Sequence, residues 1–236
     1  MLVILASAHD ASAQRLATRW ADYDAALLTC RDLSTPGWRH YPGHPGRSLA
    51  VISGRSVPLS DVRGVLIRRP WIFPEELTHI AEPDRDYVSA EMSAFMVSWL
   101  TELTCPVINR PNPTCLSGPA WREPEWVLLA SALNIAVMRQ RWEIPRGSAD
   151  WPSSAQPNAT ELTVVANHCI DDADGPTAAA AERLARAADI TLVGLRFVTE
   201  DSGPRFLAAN LWPTLENERV IDAVLEQLLV LPGSSD

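Results

Sequence analysis

Two short apolar runs, the first of them uninterrupted, flank a helix-length segment at the start of the chain. The runs are residues 2–6 and 25–30, and Asp10 or Ser12 between them can cap a helix. Uninterrupted apolar runs are typical of strands that are buried on both faces. A strand, a helix and a second strand in so short a span predict a βαβ unit with parallel strands. The sequence therefore predicts an α/β protein built on a parallel sheet with flanking helices.

The segments that follow predict a hairpin, two further strands and two helices in the same N-terminal domain. They are strands at 49–52 and 57–59 around a Ser53-Gly54-Arg55 turn, strands at 65–67 and 105–108, and helices at 84–103 and 124–133. In the helix at 84–103, apolar residues recur at helical spacing, so one face is expected to lie against the core. That apolar face is predicted to include Tyr87, Val88, Met92, Phe95, Met96, Trp99 and Leu100.

The C-terminal half predicts a smaller, reduced α+β lobe. It has strands at 162–165, 191–198 and 206–209, helices at 177–188 and 217–229, and a Gly203-Pro204 turn. Residues 139–160 are rich in proline and show little periodicity, which favours a linker or lid. The predicted division is therefore an α/β domain at 1–138, a linker or lid at 139–160 and a reduced lobe at 161–232.

The charged residues exclude one broad class of partner. The chain has no lysine, and its 20 arginines face 29 acidic residues, so its net charge is −9. Nucleic-acid binding requires a basic face, which this balance does not favour. No apolar run is long enough to span a membrane, and the start of the chain lacks the pattern of a signal peptide. The four cysteines form no CxxC pair, so we expect reduced thiols and a cytoplasmic location.

Three motifs follow one another in the N-terminal domain. Residues 65–70 read VLIRRP, residues 87–91 lie on the next predicted helix, and residues 107–111 read VINRP. This order resembles the ATP-grasp superfamily, in particular the domain that precedes the nucleotide-binding fold in ligases that modify ribosomally made peptides and in glutamate-adding ligases. The resemblance implies a pre-ATP-grasp parallel sheet followed by an ATP-grasp lobe. Relatives with a complete active site use ATP to join a carboxylate to an amine, and the resemblance implies this activity for a chain that keeps that site.

The C-terminal strands resemble the strand pair that holds magnesium in this superfamily. In working relatives, an aspartate on the first strand, with a glutamate and an asparagine on the second, binds the magnesium ions that bridge the ATP phosphates. The resemblance places Arg196 at the aspartate position and Ala208 at the glutamate position, and Asn210 keeps the third. Hard divalent cations need carboxylates, so we expect no metal site, and neither ATP nor magnesium as a cofactor. The short span between the helix at 124–133 and the strand at 162–165 also leaves no room for the central nucleotide lobe.

Four arginines are candidate ligand-binding residues. Arg68 and Arg69 follow a central strand and Arg110 follows a neighbouring one, at the edge where open α/β sheets bind ligands. If the side chain of Arg196 points the same way, the four form a cationic pocket for a carboxylate or a phosphate. The alternative is that Arg68 or Arg69 forms an ion pair with Glu91 or Asp86 and fixes the sheet to its helix. Arg196 can equally face solvent.

Other candidates rest on weaker patterns. His40 and His44 have a spacing compatible with a metal, but a surface loop explains them better. His168 and Cys169 could form a nucleophile and base, but neighbouring residues on a strand point to opposite faces. Two tryptophans in loops beside prolines are candidate partner contacts, as such side chains favour interfaces. They are Trp71 and Trp212.

The sequence favours a catalytically degenerate, ATP-grasp-like protein that works by binding a partner and not by catalysis. The expected partner is a peptide, a small carboxylate or another enzyme, in peptide modification or natural-product biosynthesis, and a homodimer is also expected. One alternative is an active carboxylate–amine ligase with an unusual or partner-completed nucleotide site. The other is a transferase or hydrolase that does not use ATP, binds substrate in an arginine-lined cleft, and has Glu91 or His168 as its base.

Overall fold

The computed structural model describes residues 1–138, 159–200 and 203–230. They form two compact units: Met1–Ala120 with the segment that begins at Thr214, and Trp121–Pro213. No helix among the described residues is both long enough and apolar enough to cross a membrane.

The strands and helices follow the predicted order. The strands are β1 (Leu2–Leu5), β2 (Ala26–Leu28), β3 (Leu49–Ile52), β4 (Arg55–Pro58), β5 (Gly64–Ile67), β6 (Val107–Ile108), β7 (Ala159–Val165), β8 (His168–Cys169), β9 (Leu192–Glu200) and β10 (Gly203–Asn210). The helices are α1 (Ala11–Arg19), α2 (Cys30–Leu33), α3 (Arg85–Glu102), α4 (Glu123–Ala132), α5 (Gly175–Ala187) and α6 (Glu218–Leu229).

A parallel sheet forms the first unit, as predicted. Its strand order is β2-β1-β5-β6, and every neighbouring pair is parallel. The strand β1 is buried along its whole length because helices cover both faces of the sheet. Helix α1 begins where the carboxylate of Asp10 accepts a hydrogen bond from the amide of Ala13 at 2.9 Å. The βαβ unit at the start of the chain is therefore confirmed.

Helix α3 packs on this sheet by one face. Met96, Trp99 and Leu100 are fully buried in the main core of the unit. The prediction that Tyr87 lies on the same buried face is wrong, because its side chain is 69% exposed. Val88 beside it packs instead against a small cluster around Ile72, which turns Tyr87 outward at the start of the helix.

The C-terminal helix α6 belongs to the first unit and not with the antiparallel strands. It packs on β5, where a methyl group added to Gly64 would lie 2.6 Å from the carbonyl oxygen of Leu228. Only a glycine allows so close an approach of helix and strand. The predicted ranges grouped this helix with the lobe at 161–232, so the structure divides the chain differently.

An antiparallel sheet forms the second unit, with strand order β10-β9-β7-β8. Leu162, Leu195 and Phe197 on one face of the sheet share a core with α5 and with Trp126 of α4. Helix α4 therefore packs with this unit, although the predicted boundary at residue 138 placed it in the N-terminal domain. The predicted linker at 139–160 lies outside the described residues except for Ala159 and Thr160, which belong to β7.

Candidate functional site

At the carboxyl edge of the parallel sheet, Arg68 is bound to the N-cap of α1. Its Nε donates to Oδ2 of Asp10 at 2.8 Å, and the two side chains are only 10% and 19% exposed. Burial raises the pKa of Asp10, but hydrogen bonds from Arg68 and from the amide of Ala13 lower it by more. The pKa of Asp10 is therefore below its usual value. Arg68 thus joins the end of β5 to the start of α1.

Arg69 lies in the interior of the unit and is 2% exposed. Its Nε donates to the carbonyl oxygen of Trp71 at 2.7 Å, and its Nη1 donates to Oε2 of Glu76 at 3.1 Å and to the carbonyl oxygen of Ala6 at 3.4 Å. The guanidinium also lies over the ring of Phe73, 5.6 Å from its centre. The second amine, Nη2, is buried without a hydrogen-bond partner among the described residues. This network gives Arg69 a structural role.

The sequence analysis considered an ion pair between Arg68 or Arg69 and a carboxylate of helix α3. In the structure the carboxylate partners are Asp10 for Arg68 and Glu76 for Arg69. Arg69 binds Glu76, which precedes α3, and does not bind Glu91 or Asp86. Glu91 is exposed on α3. Arg110 is exposed, and its Nη2 donates to the carbonyl oxygen of Cys105 at 3.2 Å. The three arginines of this edge each have local partners, so a shared cationic pocket at this edge stays a prediction.

In the second unit, strands β9 and β10 place side by side the two positions at which the resemblance predicts replaced carboxylates. Arg196 and Ala208 are direct partners in the antiparallel register, and Asn210 lies opposite Gly194. Opposite residues in such a pair point to the same face of the sheet. The arginine and the alanine therefore share the face on which the two carboxylates are expected in working relatives.

Asn210 is engaged with its own loop. Its Oδ1 accepts a hydrogen bond from the amide of Trp212 at 3.0 Å, and its Nδ2 donates to the carbonyl oxygen of Trp212 at 3.2 Å. These bonds fix the turn after β10 and hold Trp212, which packs against the core of the unit. Trp71, the other predicted partner contact, is 46% exposed and contacts Phe73 with ring centres 5.5 Å apart.

A pocket of about 210 Å³ lies where α4 approaches the outer strand β10. It is lined by Trp121, Glu123, Trp126, Arg196, Leu207, Ala208 and Ala209. The indole rings of Trp121 and Trp126 meet edge to face with their centres 5.1 Å apart. Burial raises the pKa of the Glu123 carboxyl. We call this cavity the Arg196 pocket.

The sequence interpretation singled out Arg196 and Ala208, which both line this pocket, but it did not predict the pocket or its other wall. The tryptophans and Glu123 lie at the start of α4, which the predicted boundary assigned to the other domain. A hint was present in the Trp-Arg-Glu-Pro sequence at residues 121–124, since Pro marks the first turn of a helix. What no local pattern reveals is that this turn packs beside the end of β10.

The remaining candidates have ordinary contacts. Nε2 of His40 is 2.8 Å from Oγ of Ser98. No cluster of metal-ligating side chains occurs within the described ranges. Sγ of Cys169 lies 3.6 Å from the carbonyl oxygen of Asp171, and the amide of Cys169 donates to Glu182 at 3.0 Å. The four cysteines, all within the described ranges, form no disulfide with one another.

Solved structures with a similar fold include proteins that are described in complex with precursor peptides. No family profile matches the sequence, and no curated protein matches it. The ATP-grasp ligase PsnB, in complex with a minimal precursor, Mg and ADP, superposes with a TM-score of 0.68 at 13% identity, over 96% of this chain and 98% of that one. The chain has the ATP-grasp fold.

Two further solved structures are similar to this chain. The macrocyclase MdnC from Microcystis aeruginosa MRC, bound to the precursor peptide MdnA, has a TM-score of 0.66 at 11% identity, over 97% and 99% of the two chains. A RiPP-associated ATP-grasp ligase from Chryseobacterium gregarium has a TM-score of 0.59 at 8% identity, over 97% and 94%. The predicted resemblance and α/β fold class are confirmed. Identities this low establish the ATP-grasp fold alone.

Proposed function

We propose that this ATP-grasp-fold protein binds a peptide in a peptide-modification pathway and does not itself catalyse magnesium- and ATP-dependent ligation. The observation that carries the proposal is the register of β9 and β10, which pairs Arg196 with Ala208 on one face. A cation and a methyl group thus occupy the positions at which the resemblance expects the two magnesium-binding carboxylates.

Electrostatics explains why these replacements matter. Magnesium is held in proteins by carboxylates that offset its charge. At an effective dielectric constant of about 20, a unit positive charge and a divalent cation about 5 Å apart repel each other by roughly 6–7 kcal/mol. Asn210 supplies only a neutral amide, and its side chain is already bonded to Trp212. The absence of lysine from the chain removes the residue that commonly binds phosphate as a compact charge.

The peptide part of the proposal draws on the solved neighbours and on exposed aromatic surface. PsnB and MdnC are described with bound precursor peptides. In this chain Trp71 is half exposed, and Trp212 is partly exposed at the turn after β10. Aromatic side chains of this kind contribute strongly to binding surfaces. We also propose, from the sequence alone, that the protein binds a small carboxylate, forms a homodimer and is located in the cytoplasm.

The test is an assay of ADP release by the purified protein with ATP, Mg²⁺ and a precursor-type peptide. We expect no ADP release above the rate without protein, while the peptide still binds. Trp71→Ala and Trp212→Ala should weaken peptide binding without changing the far-UV circular dichroism spectrum. Peptide-stimulated ADP release by the protein alone would overturn the proposal and favour an active ligase with an unusual nucleotide site.

A further inference from the structure

Among the described residues, one cation, two indole rings and one carboxyl group line the Arg196 pocket. It opens along the outer edge of β10, beyond the point where residues 136–138 bond to Phe206 of that strand. Ala208, directly opposite Arg196, has a small side chain, and both residues line the cavity. The long arginine side chain therefore has room to reach a ligand at the edge of the sheet.

The guanidinium of Arg196 forms no hydrogen bond or ion pair with any other described residue. The residue is half-buried, and its backbone is paired with β7 and β10. A carboxylate is close by, since Glu161 is its register partner on β7. However, Oε1 of Glu161 lies over Gly194, 2.7 Å from where a methyl group on that glycine would be. A guanidinium that is partly removed from water gains from a partner, which makes Arg196 available to a ligand.

The size and lining of the pocket define the ligand. A volume of about 210 Å³ is below the range of roughly 300–1,000 Å³ that is usual for drug-sized ligands, so a whole nucleotide does not fit. A single amino-acid side chain fits. Trp121 and Trp126 provide apolar walls, and a guanidinium binds a carboxylate through two parallel hydrogen bonds.

We infer that the Arg196 pocket binds one glutamate or aspartate side chain of a peptide, with its carboxylate on Arg196 and its methylene groups against Trp121. This inference rests on the proposed peptide-binding function and names the group that the pocket recognises. A phosphate is disfavoured because Arg196 is the one basic residue among the described residues that line the pocket, and Glu123 lines the same space. A dianion would gain from one cation and be repelled by a nearby carboxylate, whereas a monoanion matches the single guanidinium.

The probe is N-acetyl-glutamate methylamide, with N-acetyl-glutamine methylamide as its uncharged isostere. Binding is followed by NMR through the indole N–H signal of Trp121, assigned by its loss in Trp121→Phe. We expect a saturable shift with the acid, with a dissociation constant on the order of 1 mM, and at least tenfold weaker binding of the amide. Replacing Arg196→Gln should weaken acid binding about 10- to 100-fold, the usual effect of losing a charged hydrogen-bond partner.

Three variants separate this inference from simpler explanations. Arg186→Gln removes an exposed arginine of α5 and should leave the affinity unchanged. Glu161→Gln removes the neighbouring carboxylate and should leave the affinity equal or higher. Ala208→Glu keeps Arg196 but places a competing carboxylate opposite it, and should weaken binding at least tenfold. Circular dichroism spectra check that each variant is folded.

Equal shifts with acid and amide, or unchanged acid affinity in Arg196→Gln, overturn the inference. If the acid does not bind at all, the inference is also overturned, but the proposed peptide-binding function is not affected. A shift of Trp121 by ATP with Mg²⁺ at micromolar concentration contradicts the proposed function itself. The two failures are therefore distinguishable in one set of spectra.

Discussion

The buried ion pair of Arg69 and Glu76 gives the sharpest stability prediction. Arg69 is 2% exposed, and the side chain of Glu76 is 18% exposed. Removing one partner of a buried pair costs about 3–5 kcal/mol, because the other charge is left without its partner. Arg69→Met keeps most of the side-chain volume but removes the guanidinium. With a denaturant slope of about 2 kcal/mol per M in urea, the unfolding midpoint should fall by about 1.5–2.5 M.

The control is an ion pair of the same type at the surface. Arg55 and Asp24 lie 3.1 Å apart with side chains 55% and 61% exposed, so Arg55→Met should cost no more than about 1 kcal/mol. The midpoint of unfolding in urea is measured by hydrogen exchange of peptides that contain β1, so that the signal reports on the first unit. The double variant Arg69→Met with Glu76→Met should be more stable than Arg69→Met alone, because no unpaired charge remains. A midpoint for Arg69→Met within 0.5 M, roughly the limit for the control, would refute the structural role of this arginine.

Three further predictions follow from the first unit and the cysteines. Gly64→Ala should lower the free energy of unfolding by about 1–3 kcal/mol, because its methyl group meets a carbonyl of α6, and urea unfolding measures this. Asp10→Asn should destabilise the protein by about 1–3 kcal/mol at pH 7 through its bond to Arg68. The folded pKa of Asp10 lies below the unfolded value of about 3.9, so this contribution is present above pH 4 and is lost as the pH falls through the folded pKa. Burial raises the pKa of Cys105 to about 11, so its thiol should react with a disulfide reagent far more slowly than the half-exposed Cys169, as peptide mass spectrometry can measure.

Much of the fold could be predicted because its elements carry strong local patterns. The apolar runs of β1 and β2 and the helix between them specify a βαβ unit without reference to any other segment. The hairpin of β3 and β4 was equally clear, since Ser53 and Gly54 both adopt positive φ, 48° and 72°, as a two-residue turn between strands requires. The order of the motifs around residues 65–70 and 107–111 was enough to suggest the ATP-grasp fold, which the solved structures confirm.

The parts that could not be predicted depend on contacts between distant segments. Nothing in the local sequence of α6 says that it returns to β5, because that contact depends on the missing side chain of Gly64. The sequence interpretation considered Asp86 and Glu91 as partners of Arg69 and did not consider Glu76, because spacing alone does not show that the loop before α3 returns to the end of β5. The wall of the Arg196 pocket likewise comes from α4, which is far from β9 in the sequence.

The central claim is that the β9–β10 strand pair has lost the magnesium-binding carboxylates of the ATP-grasp fold. Calorimetric titration with ATP and Mg²⁺ tests it in the wild-type protein, in the variant Arg196→Asp with Ala208→Glu, and in Arg186→Asp as a charge-matched control. We predict no magnesium-dependent binding of ATP in the wild type or in the control, and binding of Mg²⁺ itself only once both carboxylates are present to offset its charge. Tight magnesium-dependent binding of ATP by the wild-type protein would contradict the account.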